Sequence, residues 1–104
     1  MLKLLVKVEN EYMKTRGKGK FHKDVTTLGG GEILDINVEE KEYKYYYFNE
    51  ETMKEELRIR EEEELTFIYS IKNENVDKIV LFLEELGEVM SFSYSIREMG
   101  LGDL

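Results

Sequence analysis

Residues 65–72 constrain this chain more tightly than any other stretch. Leu65, Phe67, Tyr69 and Ile71 alternate with Thr66, Ile68, Ser70 and Lys72. A period of two is the mark of an extended strand with one buried face, and that face needs a cover. The only long helical pattern follows directly. Val76, Ile79, Val80, Phe82, Leu83 and Leu86 fall within about 160° of arc at roughly 100° per residue. Asn73 or Asn75 precedes them as a cap, and Gly87 suits a left-handed stop. The spacing therefore predicts a helix over about 74–87, with Leu81 on its exposed side.

The remaining patterns are those of strands. Leu2, Leu4, Val6 and Val8 alternate with charged residues, as do Leu34, Ile36 and Val38, while Met90, Phe92, Tyr94 and Ile96 alternate mainly with serines. Strands are also expected over 20–28, before the Gly29-Gly30-Gly31 turn, and over 57–60, before an acidic turn at Glu61 to Glu64. The run Tyr43 to Phe48 carries aromatics on both parities, as a strand covered on both faces or lining a groove would. Short connections favour antiparallel neighbours. The expected fold is α+β: one domain spanning 1–104, a twisted and mainly antiparallel sheet of 6–7 strands, and one helix on its apolar face. The tail 100–104 is expected to fray.

Several chemistries are excluded. Without cysteine there is no disulfide, thiolate nucleophile or thiolate zinc site, and a single histidine, His22, rules out two-histidine metal motifs. No serine stands in a nucleophile-elbow context. His22 reads as a surface residue. The longest apolar run, Ile79 to Leu83, is far shorter than a membrane span. The lysine-broken N-terminus lacks a signal-peptide pattern, which points to the cytoplasm.

The net charge is −8, unevenly spread. Lys14, Arg16, Lys18, Lys20 and Lys23 form a basic, glycine-punctuated loop over 14–23 with no acid between Tyr12 and Lys23, leaving the acids to the body. Phe21 and His22 interleave with these cations in the manner of single-strand nucleic-acid binders. The four consecutive glutamates Glu61 to Glu64 read as a solvated tip, with carboxylate ligation of Mg²⁺ as the competing reading. The parity opposite the apolar one collects Lys3, Lys7, Arg58, Arg60, Lys72 and Arg97 beside Thr66, Ser70 and Ser91, Ser93 and Ser95. Asp35, Asn37 and Lys44 belong to the same parity, and the whole makes either an ordinary hydrated sheet face or an anion site.

The aromatic strand at Tyr45 to Asn49, then Leu57-Arg58-Ile59-Arg60-Glu61, Leu65-Thr66-Phe67, Lys72, Leu86-Gly87 and Arg97, resembles the middle of the CYTH superfamily, the triphosphate tunnel enzymes. The resemblance spans about residues 42–97. It implies a polyphosphate or nucleotide site with Arg58, Arg60, Lys72 and Arg97 on the phosphates, and a glutamate assisting Mg²⁺.

Three functions remain open. The first is a small acidic, non-enzymatic binding protein, such as a phage or archaeal regulator or inhibitor, that contacts another protein or itself through its aromatic residues. The second is CYTH-like phosphate binding, and the third is nucleic-acid binding by the 14–23 loop.

Overall fold

The strand β1 (Leu2–Val8) runs between two antiparallel partners, with Val6 opposite Phe67 on one side and opposite Tyr94 on the other. A computed structural model describes residues 1–99, and the expectation of a frayed tail lies outside the described residues. After β1 come a short helix α1 (Glu11–Lys14), a longer helix α2 (Lys18–Gly29), two long strands β2 (Ile33–Asn49) and β3 (Lys54–Ile71), a helix α3 (Val76–Gly87) and a last strand β4 (Phe92–Glu98). The sheet has four strands in the order β2-β3-β1-β4, all neighbours antiparallel. This β-α-β-β-α-β order is the ferredoxin-like arrangement.

The helices cover one face of the sheet. Leu4, Val6 and Val8 of β1 and Phe67, Tyr69 and Ile71 of β3 are buried against Phe21 and Val25 of α2 and Ile79 and Leu83 of α3. The alternation at 65–71 thus has the predicted cause, and Leu81 is exposed as expected.

The α+β class and the antiparallel sheet hold; four strands replace the expected 6–7, and several helices replace one. Segment 20–28 is helical because Phe21, Val25 and Gly29, four residues apart, turn a buried stripe toward the core. Gly30 ends α2 in the left-handed conformation (φ 67°), and its N–H bonds back to the Thr26 carbonyl. The triple glycine is therefore a helix stop leading into β2, not a hairpin turn. Gly31 is fixed by crowding, since a Cβ there would lie 1.9 Å from the Ser70 carbonyl oxygen. The basic loop over 14–23 is largely helical too: Asn10 Oδ1 caps α1 by accepting from the Tyr12 N–H at 2.8 Å.

Two details of α3 differ from expectation. Asn75 sits at the cap position without a side-chain cap bond, the entry being a 3₁₀ turn over Asn73–Asn75, and Gly87 is the last helical residue. The segments expected as separate strands at 32–39 and 43–48 form one strand of 17 residues, and those at 57–60 and 65–71 form one of 18.

Candidate interaction surface

Pairing between β1 and β3 stops at Val8 opposite Leu65. Beyond that point β2 and β3 pair only with each other, from Glu39 opposite Glu64 to Asn49 opposite Lys54. The result is a two-stranded arm. It stretches the chain to 60 × 31 × 20 Å, with a radius of gyration of 17.8 Å, where a compact chain of about 100 residues has roughly 13 Å. At the tip, Asn49 organises the reversal. Its carbonyl accepts from the Met53 N–H at 2.8 Å, its Oδ1 accepts from the Glu51 N–H at 3.0 Å, and Met53 adopts a left-handed φ of 58°.

The register assigns each arm residue to a face. Tyr46 stands opposite Leu57, with Lys44 opposite Ile59 and Phe48 opposite Glu55, on the face continuous with the helix-covered side of the sheet. Tyr43 opposite Arg60, Tyr45 opposite Arg58, and Tyr47 opposite Glu56 occupy the other face. There the Arg58 guanidinium lies 3.9 Å over the Tyr47 ring, and Arg60 pairs with Glu62. The aromatics on both parities therefore do not mark a covered strand. β2 is an edge strand, and among the described residues nothing covers either face of the arm. Tyr46 is 73% exposed, Ile59 57% and Leu57 55%.

Where the arm leaves the body, acids meet acids. Glu39 faces Glu64, Glu40 faces Glu63, and Glu42 faces Glu61, which are repulsive cross-strand pairs. Cations relieve part of this. Lys7 and Lys41 each place Nζ 2.9 Å from the Glu64 carboxylate, and Lys14 donates to the Glu63 carbonyl at 2.8 Å. The hydrogen bond from Lys41, then that from Lys7, holds the Glu64 carboxyl below its ordinary range, and Glu64 in turn raises Lys41. The Glu61 to Glu64 run is strand rather than a tip, so its carboxylates alternate between faces. Among the described residues no group of three potential metal ligands is assembled.

The reverse face of the body is cationic and hydroxylated, as the parity reading expected. Lys7 stands between Thr66 and Ser93, and Lys3 between Ser70 and Arg97. Lys7, Thr66, Ser93, Ser95 and Arg97 line a shallow depression of about 310 Å³. Lys44 belongs to the opposite parity, because Tyr43, Tyr45 and Tyr47 are the residues that continue the polar face into the arm.

The expected anion-site residues are spread along the sheet. Arg58 and Arg60 come together on the arm, while Lys72 follows β3 beside Gly30. Arg97 lies level with Ser70, twelve residues along β3 from Arg58, about 40 Å at strand spacing. In the basic segment, Lys14 sits on α1, Arg16 between the helices, and Lys18, Lys20 and Lys23 are exposed on α2, with Lys20 and Lys23 three residues apart on one side. Phe21, the aromatic meant to interleave with them, is buried.

His22 is a correction of another kind. Its Nδ1 is 2.5 Å from the hydroxyl of the fully buried Tyr69, and its ring meets Phe67 edge-on at 4.6 Å. Burial, then the nearby Lys18, lowers the His22 pKa, and burial pushes the Tyr69 hydroxyl well above its usual value. The signal that sequence reading missed was Phe21-His22 one turn before Val25, which places His22 at the edge of the core face of α2.

Among the described residues no helix is long and apolar enough to cross a membrane. No family model and no curated protein matches the chain. Solved structures do. CutA from Pyrococcus horikoshii, crystallised in 3 M guanidine hydrochloride, aligns over 95% of this chain and 84% of its own at 14% identity and a TM-score of 0.52. A point mutant of CutA1 from Pyrococcus horikoshii OT3 aligns over 95% and 83%, at 14% identity and a TM-score of 0.53. These neighbours overturn the resemblance to the triphosphate tunnel enzymes. The physical reason is plain in the register: the Leu57-Arg58-Ile59-Arg60 strand belongs to an open two-stranded arm, not to a closed tunnel wall. At this identity the likeness shows a shared fold with CutA proteins.

Proposed function

We propose that this chain is a small non-enzymatic binding protein that acts by assembling with itself, the β2–β3 arm of one copy lying on the body of another. The observation that carries this reading is the excess of surface. The chain exposes 7532 Å², whereas a compact monomer of 12.4 kDa exposes about 6,100 Å². The surplus, about 1,400 Å² on one chain, exceeds the roughly 800 Å² that each partner buries in a standard protein–protein interface. An isolated two-stranded hairpin is marginal in water, so an arm this long needs a cover.

A second copy supplies that cover by charge. Residues 39–64 carry eleven acids and five cations, and the reverse face of the body presents Lys7 and Arg97 among serines and a threonine. Arg97, expected as a phosphate ligand, serves here as a partner for carboxylates of the neighbouring arm. The outer edge of β2 adds a row of unpaired backbone groups that another chain can pair with.

Light scattering after size separation tests the reading. A mass of at least two chains, falling at high salt as screening weakens the charge match, supports it. A single-chain mass across the whole concentration range sinks it, and the arm would then belong to a regulator or inhibitor that contacts a basic macromolecule of another kind.

A further inference from the structure

A cavity of about 190 Å³ opens between the helices, on the other side of the sheet from the cationic face. Its walls are the Tyr12, Phe21 and Phe82 rings with Met13, Leu86 and Met90. The floor is rigid: Phe21 is buried, and its ring centroid lies 6.2 Å from that of Phe82 and 6.3 Å from that of Phe92. One wall depends on a glycine. Gly17 is buried beneath the Tyr12 ring, and a Cβ there would lie 2.4 Å from Tyr12 Cε1. The ring thus packs against bare backbone.

The rim carries one charge of each sign. Lys20 and Asp24 are one turn apart on α2 and both border the cavity. With Gly17 and Phe21 they fall within about 100° of the helix circumference, so the same face of α2 supplies floor and rim. Neither Lys20 nor Asp24 makes an ion pair or side-chain hydrogen bond with another described residue. An apolar cavity with a few convergent polar groups is the usual form of a small-molecule site. A cavity of roughly 150 Å³ lined by apolar side chains is known to hold a benzene ring, so this one takes a single ring with a short stem.

We infer that this cavity binds a free α-amino acid with an aromatic side chain. The ring enters between Phe21, Phe82 and Tyr12 in edge or offset contact, the ammonium meets Asp24, and the carboxylate meets Lys20. The two ligand charges sit on one carbon, and the two rim charges sit one helical turn apart, which matches the zwitterion better than a single-charge ligand.

The test is a methyl and amide NMR titration of the full chain with four probes: L-phenylalanine, phenethylamine, 3-phenylpropionate and ethylbenzene. L-Phenylalanine is expected to shift the Met13 and Met90 methyl signals, and each single-charge probe to bind at least roughly tenfold more weakly, since a charge-assisted hydrogen bond is lost. Asp24→Asn should weaken L-phenylalanine and phenethylamine by about tenfold and leave 3-phenylpropionate unchanged. Lys20→Gln should weaken L-phenylalanine and 3-phenylpropionate by about tenfold and leave phenethylamine unchanged. Both positions lie on the helix surface, so both variants keep the fold. Ethylbenzene binding as tightly as L-phenylalanine, signals that do not move at millimolar probe, or indifference to both substitutions would each overturn the assignment. The outcome is independent of whether the arm assembles.

Discussion

Replacing Tyr46 and Leu57 together by serine probes the arm with the least disturbance to the body. The two residues stand directly opposite each other on the face that holds Ile59 and Phe48. Tyr46 is 73% exposed and Leu57 55%. A tyrosine presents about 200 Å², so covering the open part of Tyr46 removes roughly 150 Å², worth about 4 kcal/mol at ~25 cal/mol per Å². The open half of Leu57 adds about 1 kcal/mol on the same scale. Losing about 5 kcal/mol weakens association by roughly a few thousandfold, with one decade per ~1.4 kcal/mol. The single chain should hardly notice, because exposed cross-strand pairs contribute only ~0.2–1 kcal/mol. Sedimentation velocity over a concentration series reads the first number, and urea denaturation of the dissociated chain reads the second. The reasoning is refuted if parent and variant keep the same mass at every concentration, or if the variant's monomer loses several kcal/mol.

Further expectations concern the frame around the arm. Gly31→Ala drives a Cβ into the Ser70 carbonyl at 1.9 Å, and should lower urea stability by about 2 kcal/mol or more, whereas Gly19→Ala, which meets nothing, should be neutral or slightly stabilising in its helix. The Glu64 carboxyl is held low by Lys41 and Lys7. Its contribution is therefore complete above the unfolded glutamate pKa of ~4.3 and lost as pH falls through the lower folded value; Glu64→Gln should flatten that acid limb in a stability-versus-pH series. His22 works in the opposite direction of charge. Its folded pKa lies below the ordinary histidine value of 6.5, so the unfolded chain takes up the proton first and stability rises with pH up to about 6.5 and is level above. His22→Gln should remove that slope, as followed by denaturation midpoints on either side of it.

What could be read from the sequence was what one-sided burial imprints. β1, the end of β3, α3 and the core face of β4 each put one face on the core, so Leu4, Phe67, Ile79 and their neighbours recur at the period of their element. α2 was hidden because its buried stripe is only Phe21, Val25 and Gly29, while Val25, Thr26 and Thr27 carry β-branched character. The long strands were hidden for another reason. At 39–42 and 61–64 both faces meet water, so no hydrophobic period survives, and the runs of charge look like turns. The aromatic run at 43–48 did carry the signal of the arm. Read for a single chain it implied cover on both faces, or a groove, and among the described residues no such cover is present.

Backbone amide exchange along β2, followed as a function of protein concentration, tests the central claim most directly. If a second copy lies on the arm, the amides of 39–49 that line the outer edge of β2 are slow to exchange at high concentration and become fast on dilution, while those of β1 keep their protection throughout. Outer-edge amides that exchange rapidly at every concentration would contradict it.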